Sequence, residues 1–167
     1  MFLGEVKMKN NMDIVSMAMN ELPIGINALI INDKNQILLG LRAGNRGGSG
    51  TYGLIGGKAK NGESIEETAK REIFEETGLV VDINDLEVIN LFTTQSTPEV
   101  MFYQIGVLVK KYTGEPKNME PNKCDELKYY DLNNLPENLF LGTKGNIELY
   151  LQNKFYDKSV NYDYRCQ

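Results

Sequence analysis

The stretch GKAKNGESIEETAKREIFEETGL, residues 57–79, decides how this chain is read. Ser64 followed three residues later by Glu67 is a capping-box pattern, which predicts a helix starting at Ser64. Gly78 predicts its end. Residues three and four apart share a helix face, so Glu72, Glu75 and Glu76 project to one side, where like charges repel. At about 100° per residue, Ile65, Ala69 and Ile73 mark the apolar arc, and Glu76 falls inside it. Glu72 sits at its edge. A purely structural helix would carry Leu or Ala at 76. A carboxylate aimed at the core side must be neutralised, paired or metal-bound. Lys70 and Arg71 offer ion pairs as the alternative to a metal.

Composition narrows the chemistry. The chain has 167 residues, enough for one domain with a sizeable core. Its net charge of −5 argues against a nucleic-acid polymer as partner, because such binders carry a broad basic face. There is no histidine, which excludes Ser-His-Asp and Cys-His catalytic units. Cys124 and Cys166 are the two cysteines, too few for a four-thiolate zinc site and consistent with free thiols in a reducing cytoplasm. A metal here must be held through oxygen, which favours Mg²⁺, with Mn²⁺ as a substitute. No apolar stretch reaches membrane-spanning length, and no membrane contact is expected. The N-terminus is interrupted by Glu5, Lys7, Lys9 and Asp13, which breaks up any signal-peptide core.

Working outward from the helix, residues 24–32 and 37–42 read as a β-hairpin around a polar turn at 33–36. Residues 43–50 hold four glycines, a ligand-facing or merely flexible loop. Residues 51–55 read as a short strand ending at Gly56-Gly57. LVVDI at 79–83 and LEVINLF at 86–92 read as one or two more strands, and 99–109 as a central strand buried on both faces. A polar loop at 113–125, a strand at 127–132 and a closing helix at 144–154 follow. Strands interleaved with two helices favour an α+β class with a mixed sheet over a doubly wound parallel fold.

The spacing of the glutamate stretch is more specific than its charge. Gly57, Glu63, Arg71, Glu72, Ile73, Glu75, Glu76, Gly78 and Leu79 fit the Nudix box, and chance agreement is on the order of one in a billion per start position. The chain is identified as resembling the Nudix hydrolases over residues 22–155, with 1–21 as an N-terminal extension and 156–167 as a C-terminal tail. The resemblance implies a Nudix-type α/β/α sandwich with a mixed central β-sheet. It implies divalent cations, with Glu72, Glu75 and Glu76 as catalytic, metal-binding carboxylates and a carbonyl of Gly56 or Gly57 completing the coordination. Glu72 is also the candidate for positioning or deprotonating the attacking water. Glu63 and Arg71 resemble the family's supporting pair. Ile55 stands where many members have proline, which leaves this approach less stiff.

The flanks resemble the MutT-like branch that acts on nucleoside triphosphates. By that resemblance Arg42 would contact phosphate, as an arginine fork suits phosphate oxygens. Glu120 is the first choice for an additional metal carboxylate, ahead of Glu115 and Glu126. Thr94, beside Thr93, and Asn138 are candidates for substrate contact. Tyr52, Phe92, Phe102 and Phe140 are aromatics able to stack a base or fill the core. The implied reaction is Mg²⁺-dependent hydrolysis of a canonical or modified (d)NTP to a nucleoside monophosphate and pyrophosphate. ADP-ribose, a nucleotide sugar or a dinucleotide polyphosphate is the alternative substrate class, and a non-catalytic nucleotide-binding domain the second alternative. A homodimer is plausible by the same resemblance.

Overall fold

A computed structural model describes residues 23–44, 47–97 and 100–162. The expected extension at 1–21 and Cys166 lie outside the described residues. The strands are β1 Ile24–Ile30, β2 Gln36–Arg42, β3 Tyr52–Gly53, β4 Ile55–Lys58, β5 Leu86–Thr97, β6 Val100–Val109, β7 Cys124–Asp131 and β8 Tyr156–Tyr162. The helices are α1, Ile65–Thr77, and α2, Leu141–Leu151. Neither is long and apolar enough to cross a membrane.

Among the described residues two sheets form, one in the order β4-β1-β6-β5-β8 and one in the order β3-β2-β7. The larger is mixed: β1 runs parallel to β6 and β5 parallel to β8, while β4–β1 and β6–β5 are antiparallel. The class is therefore α+β with a mixed central sheet. One face of β1, through Ile26, Ala28 and Ile30, packs with Ala69 and Ile73 of α1. Its other face offers Leu29 to Ile147 of α2. The two periodicities, 2 along the strand and 3.6 along the helix, meet here.

The hairpin expected at 24–42 is only half formed. The turn is present: Asn32 Oδ1 accepts from the backbone N–H of Lys34 and Gln36, and Asn35 takes φ 58°. Beyond one bridge, Ile31–Ile37, the strands part into different sheets. Burial explains this. Leu38 enters the core cluster shared with α1, while Ile37 and Leu39 enter the cluster shared with α2. A strand wanted by two cores leaves its hairpin partner and sits between them.

Three other expectations shift. The short strand at 51–55 is two strands, because the chain changes sheets at Leu54, whose N–H goes to Thr143 Oγ1 at 2.8 Å rather than to a neighbouring strand. LVVDI is not a strand: Leu79 and Val81 are buried, but Val80 makes a single bridge to Thr113 before Asp82 caps a 3₁₀ turn at Ile83–Asp85. The segment read as a tail contributes β8, beside β5.

The closing helix begins at Leu141, three residues before its expected start, and so takes in Gly142 as well as Gly145. Glycine weakens a helix by propensity. At 145 close packing overrides propensity: a Cβ there would lie 2.4 Å from the ring of Phe92, which is fully buried. Gly145→Ala should therefore destabilise the protein by about 1–3 kcal/mol, where helix propensity alone predicts stabilisation. A urea midpoint at or above wild type would overturn this.

Candidate active site

Helix α1 is fastened at both ends. Ser64 Oγ accepts from the N–H of Glu67 at 3.1 Å, and Glu67 Oε2 accepts from the N–H of Ser64 at 2.7 Å. Gly78, at φ 72°, donates its N–H to Phe74 O. Ala69, Ile73 and Thr77 are buried, so the helix is held in rotation as well as in length. The glutamates are thereby aimed at the Gly56-Gly57 strand.

Arg71 organises this surface. Its Nε and Nη2 donate to the two oxygens of Glu63 at 2.7 and 3.0 Å. Its Nη1 donates to Glu72 at 2.5 Å and to Glu75 at 3.1 Å, and Nη2 also reaches the Lys58 carbonyl at 3.3 Å. The Arg71 hydrogen bonds, with those from the Lys60 N–H and Thr68, hold the Glu63 carboxyl down at about 2. The hydrogen bonds that Arg71 donates to Glu63 raise the arginine's pKa in turn, so it stays charged.

Glu72 and Glu76 meet the β4 backbone. A Cβ on Gly57 would fall 2.3 Å from Glu72 Oε1, so only glycine lets that carboxylate lie against the strand. At Gly56, φ is 154° and a Cβ would fall 2.0 Å from Ile26 O. The Gly56 N–H donates to Glu76 Oε2 at 3.2 Å. Burial pushes the Glu76 carboxyl up to about 7; the Gly56 hydrogen bond opposes this, and the charges of Glu72 and Glu120 add to it.

Glu120 comes from the loop before β7. It faces a cavity of about 50 Å³ together with Glu76, Arg42 and Lys123. A larger cleft of about 640 Å³ opens beside it, lined by Gly56, Gly57, Glu72, Glu75 and Glu76 among others. Among the described residues, no three acidic side chains converge closely enough to hold one ion. Internal cations account for this: Arg71 draws Glu72 and Glu75, and Lys123 draws Glu120 at 2.5 Å.

The remaining candidates separate. Arg42 lines both cavities, donates to the Gly47 carbonyl at 2.9 and 3.2 Å and lies 4.5 Å from the Phe140 ring centre. Asn138 Nδ2 donates to Gly50 O at 2.7 Å and so braces the glycine loop. Thr94 is buried, accepting from Gln104 Nε2 at 3.0 Å, while Gln104 Oε1 accepts from Asn27. Glu126 receives hydrogen bonds from Tyr130 at 2.5 Å and Tyr52 at 3.4 Å, which hold it as a partner of tyrosines. Phe92 is core, whereas Phe102 lies 5.4 Å beneath the Lys58 ammonium at the cleft. The cleft lysines Lys58, Lys60 and Lys123 were not singled out from sequence. Lys123, three residues after Glu120 in a tight polar turn, carried the one available signal.

Residues 21–151 match the family model described as NUDIX domain. An ADP-ribose pyrophosphatase of Methanocaldococcus jannaschii is 34% identical over 112 residues, 66% of this chain and 63% of that protein. An oxidized purine nucleoside triphosphate hydrolase of Danio rerio is 30% identical over 112 residues, 65% of this chain and 66% of that protein. The chain thus spans just under two thirds of the length of these curated relatives. Among solved structures, a MutT NUDIX hydrolase from Burkholderia pseudomallei aligns with a TM-score of 0.70 at 27% identity, covering 77% of this chain and 97% of that one. Box geometry, fold and sequence model agree, and the chain belongs to the Nudix family.

Proposed function

We propose that this protein is a Mg²⁺-dependent pyrophosphohydrolase of nucleoside triphosphates, with residues 22–155 as the catalytic unit. The observation that carries the reading is Glu76: a carboxyl partly buried, with one backbone donor and two neighbouring carboxylates, placed on the cleft wall.

The residues fit a hard divalent cation, the kind of cofactor Nudix hydrolases generally use. Every charged ligand available is a carboxylate oxygen, and the raised Glu76 carboxyl marks negative charge that the protein alone leaves under-compensated. Glu72, Glu75, Glu76 and Glu120, with a carbonyl of Gly56 or Gly57, would hold the ion. When bound, Mg²⁺ would supply positive charge against the phosphate oxygens and make the attacking water easier to deprotonate.

The chain's own groups then divide the work. Glu72, seated on Gly57 and steered by Arg71, accepts a proton from the attacking water. Glu63 holds Arg71, so ligand geometry is set from behind. Arg42, at the cleft mouth, meets phosphate oxygens. Water adds to one of the two phosphorus atoms that share the α–β bridging oxygen of the triphosphate, the bond from that phosphorus to the bridging oxygen breaks, and nucleoside monophosphate and pyrophosphate result.

The M. jannaschii relative's name motivates ADP-ribose as the second substrate. The test is purified protein with Mg²⁺ on a panel of canonical and oxidised (d)NTPs plus ADP-ribose. Pyrophosphate release from a triphosphate with the highest kcat/KM is expected. Turnover of ADP-ribose alone would favour the second substrate, and turnover of nothing would overturn both.

A further inference from the structure

The cleft contains a cation whose placement suits a second role. Arg71 is committed to three carboxylates, whereas among the described residues the hydrogen bonds place Lys123 Nζ on Glu120 alone, at 2.5 Å. Lys123 lines both the small cavity beside Glu76 and the large cleft beside Glu72 and Glu75. Its backbone is fixed: the Lys123 N–H donates to Glu120 O at 2.8 Å, and the Lys123 carbonyl accepts from Ala43 N–H at 2.9 Å, next to Arg42. Asn118 ties the turn from behind, its Oδ1 accepting from Glu120 N–H and its Nδ2 donating to Cys124 O at 2.6 Å. A rigid turn thus carries a flexible ammonium between two groups of carboxylates.

We infer that Lys123 is a phosphate-binding residue of this site, and that it serves as the counter-ion of Glu120 until a divalent cation takes Glu120 over. The inference rests on the proposed reading of the site as one for a metal–nucleotide complex. Its physical basis is exchange of partners. A dication drawn to Glu76 and Glu120 cancels the attraction that holds Lys123 and repels its ammonium. The nearest compensating charge is then a phosphate oxygen in the same cleft. Lysine suits such an exchange because its three donors rotate on a four-carbon stem, whereas an arginine fork is committed by geometry. A merely structural role would be a partly exposed pair three residues apart, of small energetic weight.

Two measurements on Lys123→Met and Lys123→Arg separate these roles without relying on turnover. Electron paramagnetic resonance of Mn²⁺ added alone should show Lys123→Met binding about threefold more tightly than wild type, because a competing cation is gone. Calorimetry with the Mn²⁺ complex of inorganic triphosphate should show Lys123→Met binding about tenfold more weakly, the scale of one charge-assisted hydrogen bond. Lys123→Arg, which keeps the charge, should stay within about threefold of wild type in the second titration. Equal triphosphate affinity in wild type and Lys123→Met would overturn the phosphate role. Mn²⁺ affinity unchanged or weakened would overturn the counter-ion role. If wild type itself fails to bind the triphosphate complex, the functional reading falls and this inference with it.

Discussion

Replacing Glu76 by Gln should lower nucleotide turnover by about a thousandfold while making the metal-free protein more stable at pH 8. The two effects share a cause. Glu76 is held where its charged form is disfavoured, with its carboxyl raised from 4.5 to about 7. Between those values the folded state binds a proton that the unfolded chain releases, so stability is greatest below about 4.5 and declines as pH rises through 7. Partial exposure moderates the size, which is on the order of 2 kcal/mol. Glutamine is neutral at every pH and still accepts from the Gly56 N–H. Melting curves in EDTA should therefore coincide near pH 4 and separate by roughly 4–8 °C at pH 8, the variant being higher. Glu63 cannot mimic this. Its carboxyl is depressed to about 2, so its contribution is lost only as pH falls below about 4.5. Parallel curves across the range, or full turnover by the variant, would remove Glu76 from the proposed role.

Arg71→Ala should be the most destabilising exposed-to-half-buried substitution in the site, at about 2–4 kcal/mol. The figure lies below that for breaking a fully buried pair because its side chain keeps 18% exposure. Removing one side chain leaves Glu63, Glu72 and Glu75 facing one another without their shared cation. Arg71→Lys should recover little, since a single ammonium cannot span two oxygens of Glu63 and one each of Glu72 and Glu75. Saturating Mg²⁺ should restore part of the loss by supplying positive charge to Glu72 and Glu75. Urea midpoints with and without Mg²⁺ test both statements. A change under about 0.5 kcal/mol, the scatter of ordinary surface substitutions, would show that the network is ornamental to stability.

Local features were legible in the sequence, and long-range ones were not. The capping box at Ser64 and Glu67 and the stop at Gly78 announce their geometry because the hydrogen bonds join residues three or four apart. Glu76 stood out for the same reason: its neighbours on the helix face are fixed by 3.6-residue periodicity. Strand partners follow no such rule. ILLGLR reads as the return arm of a hairpin, yet β2 pairs with β7, far along the chain. LVVDI has a strand's alternation, but alternation reports burial and not pairing. The start of α2 was hidden because Phe140, its N-cap, supplies no side-chain cap, and because Gly142, set against Gln104, speaks for close packing rather than for helix. The role of Lys123 is hidden in the sequence because it depends on a turn that folds the side chain back onto Glu120.

The parting of β1 and β2 reaches beyond topology. Glu72, Glu75 and Glu76 ride on a helix fastened to the large sheet, whereas Glu120 and Lys123 ride on the turn that leads into the small one. The cleft is thus a seam between the two sheets, stitched beside the site where the N–H groups of Lys117 and Met119 donate to the carbonyls of Thr77 and Glu76. A ligand held from both sides would draw on both sheets at once, so its affinity would depend on how the two are set against each other as well as on the atoms that touch it.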